Sequence, residues 1–101
     1  MEQDEIIEIG IDKKERLYLK PLSKEFPYIY REAAEVNWNP AGKFLYSPKP
    51  REWSYLDWYK HIVDVTASQA CRLFITDNTN WINIPDNLKA NIIQLKETEG
   101  T

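Results

Sequence analysis

The chain has 101 residues, of which 43% are hydrophobic and 29% charged, and its net charge is −3. That length suits a single domain with a core that needs no staples, and the absence of a basic tract excludes the electrostatic footprint of a duplex nucleic-acid binder. The single cysteine, Cys71, cannot form an internal disulfide, which excludes the secreted disulfide-scaffold class.

The N-terminal run Met1-Glu2-Gln3-Asp4-Glu5 is acidic. It lacks the positive start and apolar stretch of a signal peptide, and nothing later is long and apolar enough to span a bilayer. The reading is a cytoplasmic protein without membrane contact. Residues 1–5 and 96–101 are polar and are expected to fray.

Ile7, Ile9 and Ile11 alternate with Glu8 and Gly10, the period of a strand with one buried face. Asp12-Lys13-Lys14-Glu15 can turn, and Leu17 and Leu19 alternate with polar neighbours up to Pro21, giving a first hairpin. Residues 28–33 read both ways. Tyr28, Tyr30, Ala34, Val36 and Trp38 share a strand face, while Arg31-Glu32-Ala33-Ala34-Glu35 favours helix. Asn39-Pro40-Ala41-Gly42 has the residue order of a type I turn, so residues 34–38 should pair as a strand with residues 43–47.

Pro48-Lys49-Pro50 ends that hairpin as a stiff link. Ser54 with Asp57 three residues later is a capping-box start for a helix over residues 54–70. Leu56, Tyr59, Val63, Ala67 and Ala70 would line its buried face, widened by Trp58 and Ile62. Leu73-Phe74-Ile75 and Trp81-Ile82-Asn83-Ile84 read as two strands joined by the turn-prone Asp77-Asn78-Thr79-Asn80. Pro85, then Leu88, Ile92 and Leu95, mark a closing helix. The order ββββαββα predicts an α+β fold: an antiparallel sheet of hairpins with helices packed on one face.

Catalytic equipment is sparse. One His and one Cys cannot make a Cys/His zinc site, and three isolated glycines make no phosphate loop. No cofactor and no metal are expected. His61 sits between Asp57 and Asp64 at helical spacing, so either carboxylate could orient it for acid–base work. The plainer reading, which we prefer, is a solvated histidine on the helix's polar face. Cys71, at a helix C-terminus beside Ala70 and Leu73, reads as a small buried hydrophobe. Glu32 and Glu35 could act as a carboxylate pair only on a helix, and read as surface charge. Trp58 and Trp81 read as core.

The segment from Tyr46 to Trp53 is the best binding candidate. Tyr46, Lys49, Arg51 and Trp53 lie on or beside a proline-stiffened loop that loses little entropy on binding. The competing reading is that Trp53 staples the helix start.

The runs Tyr28-Ile29-Tyr30-Arg31-Glu32-Ala33, Val36-Asn37-Trp38, Leu45 through Ser54, Trp58, and Thr79-Asn80-Trp81-Ile82-Asn83-Ile84-Pro85 together resemble small bacterial single-domain proteins of the mobile-gene-cassette and toxin-immunity type. The resemblance implies a bacterial accessory protein and carries over no catalytic or binding residue. The leading functional expectation is a non-enzymatic module that binds another protein, of which an immunity-type inhibitor is one form. The alternatives are a small-molecule or anion binder using an aromatic pocket between sheet and helix, and an enzyme centred on His61. A half-covered sheet with free edges also suits a homodimer.

Overall fold

The computed structural model describes residues 2–33 and 35–99, with side chains described through residue 95. β1 (Glu2–Ile11) and β2 (Leu17–Pro21) form the first hairpin. Its turn is built by Asp12, which accepts hydrogen bonds from the N–H groups of Lys14 and Arg16, 2.9 Å each, and from Arg16 Nε at 2.8 Å. A 3-10 turn at Ile29–Arg31 leads to β3 (Asn37–Asn39) and β4 (Phe44–Tyr46), followed by α1 (Tyr55–Ser68), β5 (Cys71–Ile82) and α2 (Asp86–Glu99). The strands form one sheet in the order β3-β4-β2-β1-β5.

The α+β class and the single helix-covered face are as expected. Residues of both helices (Trp58, Tyr59, Ile62, Leu88, Ile92) share one core with Ile6, Ile9, Leu19, Leu45, Leu73 and Ile75 of the sheet. The expectation of an antiparallel sheet throughout is corrected. β5 pairs with β1 in parallel, from Glu2↔Cys71 to Gly10↔Ile82. Parallel neighbours need a crossover, and α1 supplies it by carrying the chain across the core face before β5 begins. The same pairing corrects the expected fraying of residues 2–5, which lie in β1 with Asp4 buried. The backbone of residues 96–99 is helical. Met1, Gly100 and Thr101 lie outside the described residues.

The two late strands are one. Asp77-Asn78-Thr79-Asn80 does not reverse the chain but bulges from the middle of β5, so that Ile7 alone stands opposite residues 76–79. Ile7 is also the extra residue against β2, where Ile6 faces Pro21 and Glu8 faces Lys20. A one-residue insertion swaps the face of everything after it. Hence Ile6 and Ile9 are the fully buried residues, and the even alternation expected of Ile7, Ile9 and Ile11 is broken.

The β3–β4 hairpin forms as read, over a shorter span. Asn39 accepts Gly42 N–H on Oδ1 at 2.9 Å and Lys43 N–H on its carbonyl at 2.7 Å. Residues 28–33 are neither strand nor α-helix: the 3-10 turn buries Ile29 and leaves Tyr28 and Tyr30 exposed. Ala34 lies outside the described residues. On the helix-free face Tyr18 packs on Phe44 and Phe44 on Tyr46, with centroids 5.3 and 5.9 Å apart. Gly10 lies close beneath Tyr18: a Cβ there would lie 2.4 Å from the phenol, so a larger residue would have to displace the end of the Tyr18 ring. Burial, and then the 2.8 Å bond that Tyr18 Oη donates to Glu8, push the phenol's pKa up.

Candidate functional site

The loop after β4 is anchored at its start by Ser47, which is buried and donates its N–H to the Leu17 carbonyl at 2.9 Å. At its far end Ser54 caps α1. Ser54 Oγ accepts Asp57 N–H at 3.1 Å, and Asp57 Oδ2 accepts Ser54 N–H at 3.1 Å, the reciprocal pair that the sequence predicts. The helix ends earlier than expected: Ala70 is exposed and left-handed, with φ 64°.

The Ser54 backbone bond, then its hydroxyl, hold the Asp57 carboxyl below the usual carboxylate range. A carboxyl depressed by folding contributes stability that is present above its unfolded pKa, about 3.9. That contribution is lost as pH falls through the lower folded value. Ser54→Ala is expected to cost about 1 kcal/mol at neutral pH. The gap between variant and parent should narrow on acidification below pH of about 4, read by urea denaturation at a series of pH values.

Between anchor and cap, Trp53 packs on Trp58, one turn into α1, with centroids 4.7 Å apart and planes at 52°. This is the expected staple, yet Trp53 remains 44% exposed. His61 meets both indoles edge-on, at 5.1 Å from Trp53 and 5.8 Å from Trp58. It is therefore half-buried against aromatics and not freely solvated. Asp57, Lys60 and Asp64 share a shallow depression with it, but among the described residues no hydrogen bond or ion pair joins His61 to either carboxylate.

On the other side of Trp53 lies a hollow of about 220 Å³. Its charged lining is Glu35, Lys49, Arg51 and Glu52, and its aromatic wall is Trp53 and Trp58. The structure thus brings together Lys49, Arg51 and Trp53. Tyr46 is not in the hollow; its ring lies under Arg16, 4.6 Å from the guanidinium, in the aromatic row of the helix-free face. Lys49 is held by Glu15 at 2.5 Å, a pair exposed on both sides, and that contact raises the lysine's pKa. Glu35, expected as surface charge, joins from the segment before β3, and no local signal links it to residues 48–53. Trp58 is 6% exposed and core, as expected, but it also walls the hollow, and its indole N–H is buried without an acceptor.

A second crevice, about 180 Å³, opens between α1, β5 and α2; Val63, Leu73, Ile75 and Leu95 line it together with Tyr59, Phe74 and the charged Lys60, Asp64 and Arg72. Trp81 is half-buried under Lys89, whose Nζ lies 5.4 Å from the ring centroid. Cys71 is buried; that burial, and then the Asp4 carboxylate, push its thiol pKa up, the wrong direction for a nucleophile. Among the described residues no His/Cys/Asp/Glu cluster could hold a metal ion, and no helix is long and apolar enough to cross a membrane.

This architecture defines a small α+β protein with a mixed sheet, one helix-covered face and a charged aromatic hollow at the start of α1. The family model for Integron Cassette Protein Hfx_Cass5 matches residues 4–79, and the chain belongs to that family. It is similar to a solved structure described as "Structure from the mobile metagenome of North West Arm Sewage Outfall: Integron Cassette Protein Hfx_Cass5". The two are 41% identical over 93% of this chain and 95% of that chain, at a TM-score of 0.49. No curated protein matches the chain.

Proposed function

We propose that this cassette protein is a non-enzymatic protein-interaction module of bacterial origin, acting in the cytoplasm, and that the Arg51–Trp53 hollow is its contact surface. One observation carries the reading: Trp53, 44% exposed, is held by Trp58 and His61 beside the exposed Arg51, on a loop tied down at Ser47 and Ser54. Exposed Trp and Arg on a pre-organised loop are the usual composition of an interface hot spot. An immunity-type inhibitor, covering the working surface of another protein, is the form that suits a mobile cassette product with a net charge of −3.

The test is affinity capture by tagged protein from the source organism. Arg51→Ala should abolish capture of any stoichiometric partner while the melting temperature stays within about 4 °C of the parent's, because Arg51 is a surface residue. Capture indifferent to Arg51 would sink the reading. The α1–β5–α2 crevice favours one alternative, a small-molecule ligand held between helix and sheet among apolar side chains and the charged Lys60, Asp64 and Arg72. A thermal-shift screen that raises the melting temperature, and is blocked by filling the crevice with Val63→Phe, would support it.

A further inference from the structure

We infer that a second copy of this chain pairs antiparallel with the open edge of β5, making one continuous sheet across the two copies. The inference is independent of the Arg51–Trp53 reading. β5 ends the strand order and, among the described residues, pairs with β1 alone. Two bonds fix the direction of its main-chain groups. Glu2 donates its N–H to the Ala70 carbonyl at 3.0 Å. The Thr79 hydroxyl links the Thr76 N–H to the Ile6 carbonyl. A parallel ladder alternates along the strand, so Arg72 and Phe74 turn their N–H and C=O groups to β1. Cys71, Leu73 and Ile75 therefore turn theirs to the open edge, although these residues are only 3, 2 and 3% exposed. Arg72, Leu73, Phe74 and Ile75 all line the crevice beside α1, and consecutive strand residues can share one crevice only along the strand's edge. Unmade main-chain groups on an edge recruit another strand unless something guards them. The opposite edge is guarded, because β3 has three residues and Pro40 follows it. Residues 71–75 contain neither proline nor lysine.

The segment is its own complement. Antiparallel pairing centred on Leu73 sets Cys71 opposite Ile75 of the second copy and Leu73 opposite its own counterpart. Every outward main-chain group then meets an outward group, and the apolar side chains stay on the core face of both copies. On the helix-free face Phe74 stands opposite Arg72 of the second copy. Beyond Phe74 lies its β1 partner Glu5, whose carboxylate makes no ion pair among the described residues. The arriving arginine lies over the Phe74 ring with its guanidinium toward Glu5. A foreign strand would have to bring a cation to that one position. A second copy brings it by symmetry, and the two-fold axis makes the row twice.

The experiment is light scattering on the full chain at rising concentration. The mass should climb from 12.0 kDa toward twice that value. Phe74→Lys sets a lysine against Arg72 of the second copy and should hold the mass at a single chain, with the far-ultraviolet spectrum of the parent. Should Phe74→Lys fail to fold, Glu5→Lys carries the test, weakening association at least roughly tenfold. The register is read by cross-linking on a Cys71→Ala background. Arg72→Cys mixed with Phe74→Cys should form an intermolecular disulfide under mild oxidation, because those two positions stand directly opposite. Neither variant alone should do so, because each meets its own counterpart only diagonally. A single-chain mass at every concentration overturns the inference and leaves the β5 edge to a foreign strand. A dimer indifferent to both lysine variants, or a disulfide formed equally by the single variants, overturns it too.

Discussion

Thr79→Val is expected to destabilise the fold by about 2–4 kcal/mol, although the two side chains have nearly the same shape. Thr79 is 6% exposed and its hydroxyl works in both directions. It donates to the Ile6 carbonyl at 2.7 Å and accepts the Thr76 N–H at 2.9 Å. These two bonds close the bulge of β5 over the bulge of β1, where the regular ladder is interrupted. Valine removes the hydroxyl and leaves a carbonyl and an N–H without partners, so the cost is two desolvated backbone groups and not a lost contact. Urea denaturation should show a lower midpoint with an unchanged slope. Thr79→Ser keeps the hydroxyl and should recover most of the loss. A Thr79→Val variant as stable as the parent would mean that water reaches both groups.

Asp4→Ala should cost about 2–3 kcal/mol by removing a buried anchor between β1 and the segment after β2. The Asp4 carboxylate is 6% exposed, and its Oδ2 accepts the N–H groups of Ser23 and Lys24 at 2.9 and 2.8 Å. Its Oδ1 accepts the Ser23 hydroxyl at 3.3 Å. Asp4→Asn separates charge from hydrogen bonding: the amide oxygen can take the place of Oδ2 while the amide N–H donates to Ser23 Oγ. Asn should therefore retain at least half of the stability that Ala loses. Equal losses in the two variants, measured by thermal or urea unfolding, would show that the negative charge and not the bonding geometry anchors the segment.

At both residues local patterning and the fold disagree, and the reason is the same in each. Asp4 sits in an acidic terminal run that no local rule would place in a sheet. Its strand forms because Cys71, far along the chain, begins a parallel neighbour. Thr79 sits in Asp77-Asn78-Thr79-Asn80, whose composition is that of a reversing turn. The reversal does not happen because β1 continues alongside, and the Thr79 hydroxyl satisfies the strand carbonyl that the bulge leaves open.

What the residue order determined by itself is what short-range chemistry decides. Ser54 and Asp57 start α1, because a cap needs only its own first turn. Asn39 and Gly42 close the β3–β4 hairpin, because the Asn39 side chain bonds three residues on. Trp53 staples Trp58, because a residue just outside a helix can reach only its first turns. Tertiary structure alone decided the parallel place of β5, the face swap at Ile7, and the hollow that joins Glu35 to Arg51, Trp53 and Trp58. Each depends on two segments distant in sequence meeting across the sheet or its edge. Periodicity and turn chemistry describe what a segment can do alone; which neighbour it meets is set by how the whole apolar surface is buried at once.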